Sequence, residues 1–370
     1  FLAYSQAVFS EGYLKLGTVP FLHFGDMLRA APQLGRLQAW RSVYSMVAKF
    51  IQDDHLRQAF SFHSLLVGGN PFATSSIYTL IHALEREWGV WFPRGGTGAL
   101  VQGMARLFTD LGGELLLNAE VDQLETTGNR ISGLQLKDGR RFPAVAVASN
   151  ADVVFTYEQL LRGHPAASKR AAALKRKRMS NSLFVLYFGL NHPHSQLAHH
   201  TVCFGPRYRE LIDEIFNSNQ LSDDFSLYLH APCSSDPSLA PAGCGSFYVL
   251  APVPHLGTAA INWQQEGPRL RDRIFAYLEE HYMPGLRQQL VTHRMFTPLD
   301  FRDTLHAHHG SAFSLEPILT QSAWFRPHNR DADITNLYLV GAGTHPGAGV
   351  PGVIGSAKAT AQLMLEDLAG

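Results

Sequence analysis

Near the end of the chain a short apolar run, a glycine-rich loop and a helix follow one another without a break. They span Leu337–Ala359 (LYLVGAGTHPGAGVPGVIGSAKA), and this segment constrains the fold more than any other. Leu337, Tyr338, Leu339 and Val340 read as a buried strand. Gly341, Gly343, Gly347 and Gly349 follow, where any side chain would hold the backbone away from a ligand. Pro351 suits a first helical turn, and Val353, Ile354, Ala357, Ala361, Met364 and Leu368 then recur at helical spacing, predicting one apolar face. A strand, a glycine loop and a helix N-terminus in that order make a site for an electron-rich group. They do not make a dinucleotide fingerprint, which needs a further strand and an acidic residue about 20 positions on. The better role is a cap whose helix N-terminus faces a cofactor ring.

The run GAGTHPGAGVPGVIGSAKAT closely resembles the C-terminal signature of the bacterial and fungal type phytoene desaturases. These are FAD-dependent carotenoid dehydrogenases within the amine-oxidase-like flavoproteins. The resemblance implies that Gly341, Ala342, Gly343, Thr344, Gly349, Val350, Pro351, Gly352 and Val353 lie against the flavin. Their amides and the helix dipole would stabilise the reduced ring. Two more stretches resemble family segments. Pro93–Leu100 matches a P-x-GG-x-G-x-L turn ahead of a helix with Leu100, Val101, Met104 and Leu107, and the GGELLLNAEV run matches the strand pair near the adenosine half of FAD, with Val121 at the adenine contact.

What the resemblance implies for the fold is an α/β protein: a Rossmann-like FAD-binding domain lacking its N-terminal part, a mixed-sheet substrate domain and a helical, membrane-facing segment. The expected organisation is a helical substrate- and membrane-associating segment over 1–88, part of the FAD domain over 89–152, a substrate domain with a second sheet over 153–330, and the FAD-binding strand, loop and helix over 331–370. No GxGxxG turn with a ribose-binding acid precedes this, although the family opens on one. We therefore expect a segment carrying it to be absent from this chain, which begins at Phe1.

Composition narrows the classes. Charged residues are 17% of the chain and the formal net charge is zero, against an average near 25% charged, so steering towards nucleic acid is not indicated. With 45% hydrophobic residues, this suits a large apolar tunnel, an apolar surface, or simply a well-buried enzyme. Cys203, Cys233 and Cys244 are scattered and form no CxxC pair, so they read as thiols of a reducing compartment, and no metal site is expected. No run reaches the 18 or so apolar residues of a spanning helix. The expected location is cytoplasmic and peripheral to a membrane.

Residues 1–60 read as helical. Met27, Leu28, Ala31, Leu34 and Leu37, then Trp40, Val43, Tyr44, Val47 and Phe50, fall on helical spacings with Arg29, Arg36, Arg41 and Lys49 interleaved. Such a segment fits either an anionic membrane surface or an ordinary core-packed helix. Asp26 and Arg29 stand three apart among Phe21, Phe24, Met27 and Leu28. They are either a surface ion pair or a charged pair at an apolar tunnel able to assist proton removal, and they are the best acid–base candidates. His345 in the glycine loop either does proton chemistry near the flavin or holds the loop. His306, His308 and His309 are bunched without carboxylates and read as loop histidines. Pro165–Arg178 is the densest basic patch, read as a solvated helix end or a membrane contact.

From Gly112 the period changes: Leu115–Asn118, Val121–Leu124, Ile131–Leu136 and Phe142–Ser149 read as strands, with Lys137-Asp138-Gly139 as a hairpin turn. Ser182–Leu190 reads as the central strand of a second sheet, joined by Phe225–His230 and Ser246–Val253.

As an activity, the resemblance implies an oxidoreductase acting on CH–CH bonds: desaturation of phytoene towards lycopene in the lipid phase, with FAD as hydride acceptor. A quinone or oxygen would be the external oxidant. The alternatives are a carotenoid isomerase or C30 dehydrogenase on the same fold, or a non-catalytic fragment that holds no flavin.

Overall fold

The computed structural model describes residues 1–15, 20–218, 220–257 and 259–369. The chain forms two compact units, each assembled from separated segments. One takes 1–89, 119–181 and 302–370; the other takes 90–118 and 182–301.

In the first unit, short helical pieces come first: Leu2–Val8, Phe24–Arg36, Val43–Val47 and Asp54–Ser61. A 3₁₀ turn begun by Ser75, whose hydroxyl accepts from the Ile77 N–H, leads into the helix Leu80–Trp88. Phe24–Arg36 turns Met27, Ala30, Leu34 and Leu37 inward, while Phe24, Leu28 and Ala31 face outward. The buried stripe is therefore narrower than the run of apolar residues suggests.

A three-stranded antiparallel meander follows: β1 Val121–Thr127, β2 Arg130–Leu136 and β3 Arg141–Pro143. Gly139, at φ +89°, makes the turn at Lys137-Asp138-Gly139 between β2 and β3. Leu115–Asn118, expected as a strand, is irregular: Leu115, Leu116 and Leu117 are exposed and Asn118 sits at φ +52°. A strand needs a neighbour to pair its backbone groups, and this exposed run pairs with none of the described strands. β4 Val147–Ser149 runs parallel to β10 Leu337–Leu339, in register Leu337↔Val147 and Leu339↔Ser149. Beneath this pair lies a core of Leu124, Ile131, Val153, Val154, Leu315 and Ile334 among others. The basic patch at Pro165–Arg178 finds partners inside this unit: Arg170 with Asp333, Lys175 with Glu158 and Arg178 with the buried Glu316.

The second unit is a five-stranded sheet in the order β6-β7-β8-β5-β9, with every pairing antiparallel. The strands are β5 Ser182–Leu190, β6 His200–Cys203, β7 Leu227–His230, β8 Gly245–Val253 and β9 Leu290–Phe296. The near-continuous apolar run predicts a central strand; β5 is interior, paired on both sides by β8 and β9, while β8 holds the middle of the sheet. Phe184, Leu186 and Phe188 pack with Phe247 and Val249 of β8 against Ile274, Phe275 and Leu278 of the helix Trp263–His281. β6 and β9 escape notice in the sequence because both are edge strands with polar residues, and edges need no alternating pattern. The helix Gly96–Asp110 belongs to this unit. Its Leu100, Val101, Met104 and Leu107 form an apolar face, as their spacing predicts, but that face is exposed. Among the described residues no helix is long and apolar enough to cross a membrane.

Candidate functional site

The site lies in the first unit, where the chain leaves β10. All three residues of β10 are buried, so the strand is fixed and the loop after it emerges in one direction. Gly341 takes φ +103°, and a β-carbon there would overlap the Asn150 side chain just beyond β4. At this position the demand for glycine comes from the protein's own packing. Gly349 differs. It caps the C-terminal helix at φ +91°, and a β-carbon there would meet only Val67 Cγ1, at an ordinary 3.5 Å, so the positive φ and not crowding is what favours glycine.

The loop is held by a buried polar network. Ser356 Oγ accepts the Gly341 N–H at 3.0 Å and lies 2.8 Å from Thr344 Oγ1. The Thr360 hydroxyl donates to Leu339 O at 2.9 Å, and the Asn329 amide nitrogen reaches His345 O and Ser356 Oγ, each at 3.1 Å. This network decides how the helix Val350–Leu368 is rotated. Its buried face is Gly355, Ser356, Ala359, Thr360 and Leu363. The face predicted from Val353, Ile354, Ala357, Ala361, Met364 and Leu368 is not the buried one: Ile354, Ala357, Ala361 and Leu368 are exposed. Small residues allow close approach to the strand, and the hydroxyls satisfy polar atoms that apolar residues could not.

Arg326 had no sequence signal at all. It is 2% exposed, and its guanidinium donates to Thr344 O (Nε, 3.0 Å) and Ala342 O (Nη2, 2.7 Å), with Leu315 O at 3.4 Å. Nη1 has no hydrogen-bond partner, and no carboxylate pairs with it, among the described residues. Burial pushes this guanidinium below its ordinary pKa. The Lys177 ammonium, on Phe325 O at 2.8 Å, is likewise lowered, by burial and by Arg326. The loop is thus backed by positive charge without a matching anion, which costs free energy in a folded protein unless a ligand supplies one.

The first turn of the C-terminal helix opens on a cavity. Gly349, Pro351 and Gly352, with His345 and Pro346, form one side of a space of about 350 Å³ whose other walls are mostly apolar, including Met27, Leu34, Val67, Leu80, Leu84 and Leu319, with Glu85 at one side. His345 is 5% exposed, and its ring meets Phe21 edge-on at 5.0 Å. A second space of about 240 Å³ carries Glu11, Lys15, Asp26 and Arg29. Both spaces share Gly12, Phe21, Ala30, Leu34 and Ile77 in their walls, so they adjoin across Phe21. The structure therefore places His345 in one space and Asp26 and Arg29 in its neighbour.

Asp26 also has local duties. Its Oδ2 accepts the His23 N–H at 3.2 Å, capping the helix, and Oδ1 lies 3.1 Å from Arg29 Nη2. The Arg29 side chain is 82% exposed and that of Asp26 22%, so Asp26 alone of the pair is turned inward. Val121 opens β1 opposite Leu136. Ala342, Gly343 and Thr344 lie within the loop held by Arg326, and Val350 and Val353 in the helix's first turn.

A glycine-lined loop at a helix N-terminus, backed by the buried Arg326 and opening on a largely apolar space, suits an electron-rich cofactor ring beside an apolar substrate. The chain belongs to the flavin-containing amine oxidoreductase family, whose model matches residues 3–365, and within it to the phytoene desaturases. It is 80% identical over 368 residues to the phytoene desaturase (lycopene-forming) of Pantoea ananas, covering 100% of this chain and 75% of that protein. Identity to the enzyme of the same name from a Paracoccus species is 63% over 370 residues, covering 100% of this chain and 74% of that protein. Among solved structures, an oxidoreductase from Methanosarcina mazei superposes with a TM-score of 0.61 at 16% identity, over 93% of this chain and 73% of its own. Cyclohexylamine oxidase from Brevibacterium oxydans does so with 0.57 at 15%, over 100% and 74%. At such identities the superpositions speak for the fold alone.

Proposed function

We propose that this protein desaturates phytoene towards lycopene in carotenoid biosynthesis, with FAD as its cofactor. The observation that carries the proposal is the junction between the cap loop and the apolar cavity. The same first helical turn that fits an electron-rich ring also walls a space suited to a hydrocarbon. The unmatched charge of Arg326 and the glycine at the helix N-terminus, Gly349, fit the flavin, and the chain's high identity to lycopene-forming enzymes supports the substrate class.

When bound, FAD supplies the acceptor for a hydride. The residues of this chain do the rest. Met27, Leu34, Leu80 and Leu84 hold the polyene by apolar contact and exclude water from the reacting carbons. Arg326 and the hydroxyl network keep the loop in place. Each new double bond releases one hydride and one proton from adjacent carbons, and Asp26, turned inward beside Phe21, is the group we assign to receive the proton. His345 then acts by shaping the cavity wall next to Phe21. For a membrane surface the support is the outward row Phe24, Leu28 and Trp40, respectively 49%, 60% and 66% exposed, with Arg29 beside it. Lipid contact there would let phytoene pass from the bilayer to the cavity, and a membrane quinone or oxygen would complete the cycle.

Ala30 tests this reading, because it is buried and borders both spaces. Ala30→Trp is expected to lower phytoene conversion in liposomes at least about tenfold, as overfilling a packed site does, while leaving flavin absorbance intact. Products are followed by mass, since desaturation removes hydrogen and isomerisation does not. Unchanged conversion in a folded, flavin-bearing variant would place the substrate elsewhere.

A further inference from the structure

The sheet of the second unit carries a group of imidazoles for which the flavin chemistry has no use. His200 opens β6 and His230 closes β7, and their antiparallel register sets the two directly opposite each other, with His199 immediately before. One ring nitrogen from each of the three lies within 4.8 Å of the other two. Nε2 of His199 faces Nε2 of His230 at 2.8 Å. Neutral rings can satisfy that contact only if one nitrogen donates to the other. A cation accepts all three lone pairs at once.

The surroundings are those of ligating histidines. His199 Nδ1 lies 2.6 Å from Ser235 Oγ, and His200 Nδ1 pairs with the Tyr228 hydroxyl. Outer partners of this kind fix the tautomer and orientation of a ring and leave its other nitrogen for a metal. Phe92 meets the rings of His199 and His230 edge-on at 4.5 and 5.6 Å, and the Tyr248 ring lies 4.5 Å from that of His230. These aromatic walls shield the cluster and stiffen it.

We propose that His199, His200 and His230 bind a divalent transition metal of the Zn²⁺ class, with water completing a tetrahedron. Imidazole-only ligation suits Zn²⁺, Cu²⁺ or Ni²⁺ and disfavours Mg²⁺ and Ca²⁺, which want oxygen. Zinc–nitrogen distances of about 2.0–2.1 Å place tetrahedral ligand atoms about 3.3 Å apart, so the two facing Nε2 atoms must part by about 0.5 Å. His199 stands just before β6 and His200 is exposed, so both have room to give. Because β6 is the edge strand of the sheet, such a metal would clip that edge to β7.

The test is a titration of the purified, chelator-stripped flavoprotein with Zn²⁺, and in parallel with Co²⁺ as a spectroscopic stand-in. The expected result is saturable Zn²⁺ binding with a raised melting temperature, and the visible bands of tetrahedral Co²⁺. His199→Ala and His200→Ala are each expected to weaken this binding at least about tenfold and to abolish the Co²⁺ bands, with flavin absorbance showing that the variants fold. His308→Ala, in the other histidine tract, should leave both readouts as in the wild type. Absence of saturable binding in the wild type overturns the proposal, and so does binding undiminished in both His199→Ala and His200→Ala.

Discussion

Replacing Arg326 by Met is expected to destabilise the first unit by about 3 kcal/mol or more and to strip the protein of its flavin. Methionine fills a similar volume but donates nothing, so the carbonyls of Ala342 and Thr344 lose their buried donors at once. A buried acceptor left without a partner costs about 1–3 kcal/mol, and here both lie on one loop. Arg326→Lys should not rescue the defect. A point ammonium cannot reach the Nε and Nη2 positions together, whereas the rigid fork does so without further ordering. Two readouts separate the charge from the scaffold: flavin retained per chain after gel filtration, and the melting temperature with and without added FAD. If the methionine variant keeps its flavin and melts like the wild type, Arg326 is neither a staple nor a counter-charge.

This residue also shows where the sequence stops being informative. The strand, loop and helix at Leu337–Ala359 are legible because each follows from local rules: a short apolar run, glycines and a proline at the first turn. The interior place of Ser182–Leu190 and the turn at Gly139 are legible for the same reason. What fails is anything decided by distant partners. The C-terminal helix is rotated by hydroxyls reaching Asn329 and Leu339, so the face with the more obvious apolar period is the wrong one. Gly341 reads as room for a ligand, yet its neighbour is Asn150, far away in sequence. Asp26 and His345 can each be picked out singly, but only folding sets them on either side of Phe21. Arg326 lies in an unremarkable stretch, and His199, just before β6, His200 and His230 become a cluster only through the register of β6 with β7.

Acid should loosen the same unit through His82, and the sign follows from its surroundings. The ring is packed among Phe1, Phe60 and His63, and Nε2 lies 2.9 Å from Phe60 O. Burial, then the neighbouring His63, hold its pKa down at about 4, against an ordinary 6.5. A depressed histidine is neutral in the folded protein while the unfolded chain already takes a proton. The stability it contributes is therefore complete above pH 6.5 and is lost progressively as the pH falls through 6.5 towards 4. A shift of this size corresponds to at most about 3 kcal/mol by the lower end of that window. His82→Gln offers an amide to Phe60 O and cannot titrate, so its denaturation midpoint should fall less steeply across the same window. Carboxylates titrate alike in both proteins, which makes the difference between the two profiles the quantity to read. Parallel profiles would mean that His82 takes its proton without unfolding anything. Because Glu85, the partner of His63 at 3.2 Å, also borders the apolar cavity, acid loosening at His82 should reach substrate binding first: phytoene conversion is expected to decline at a higher pH than flavin is released.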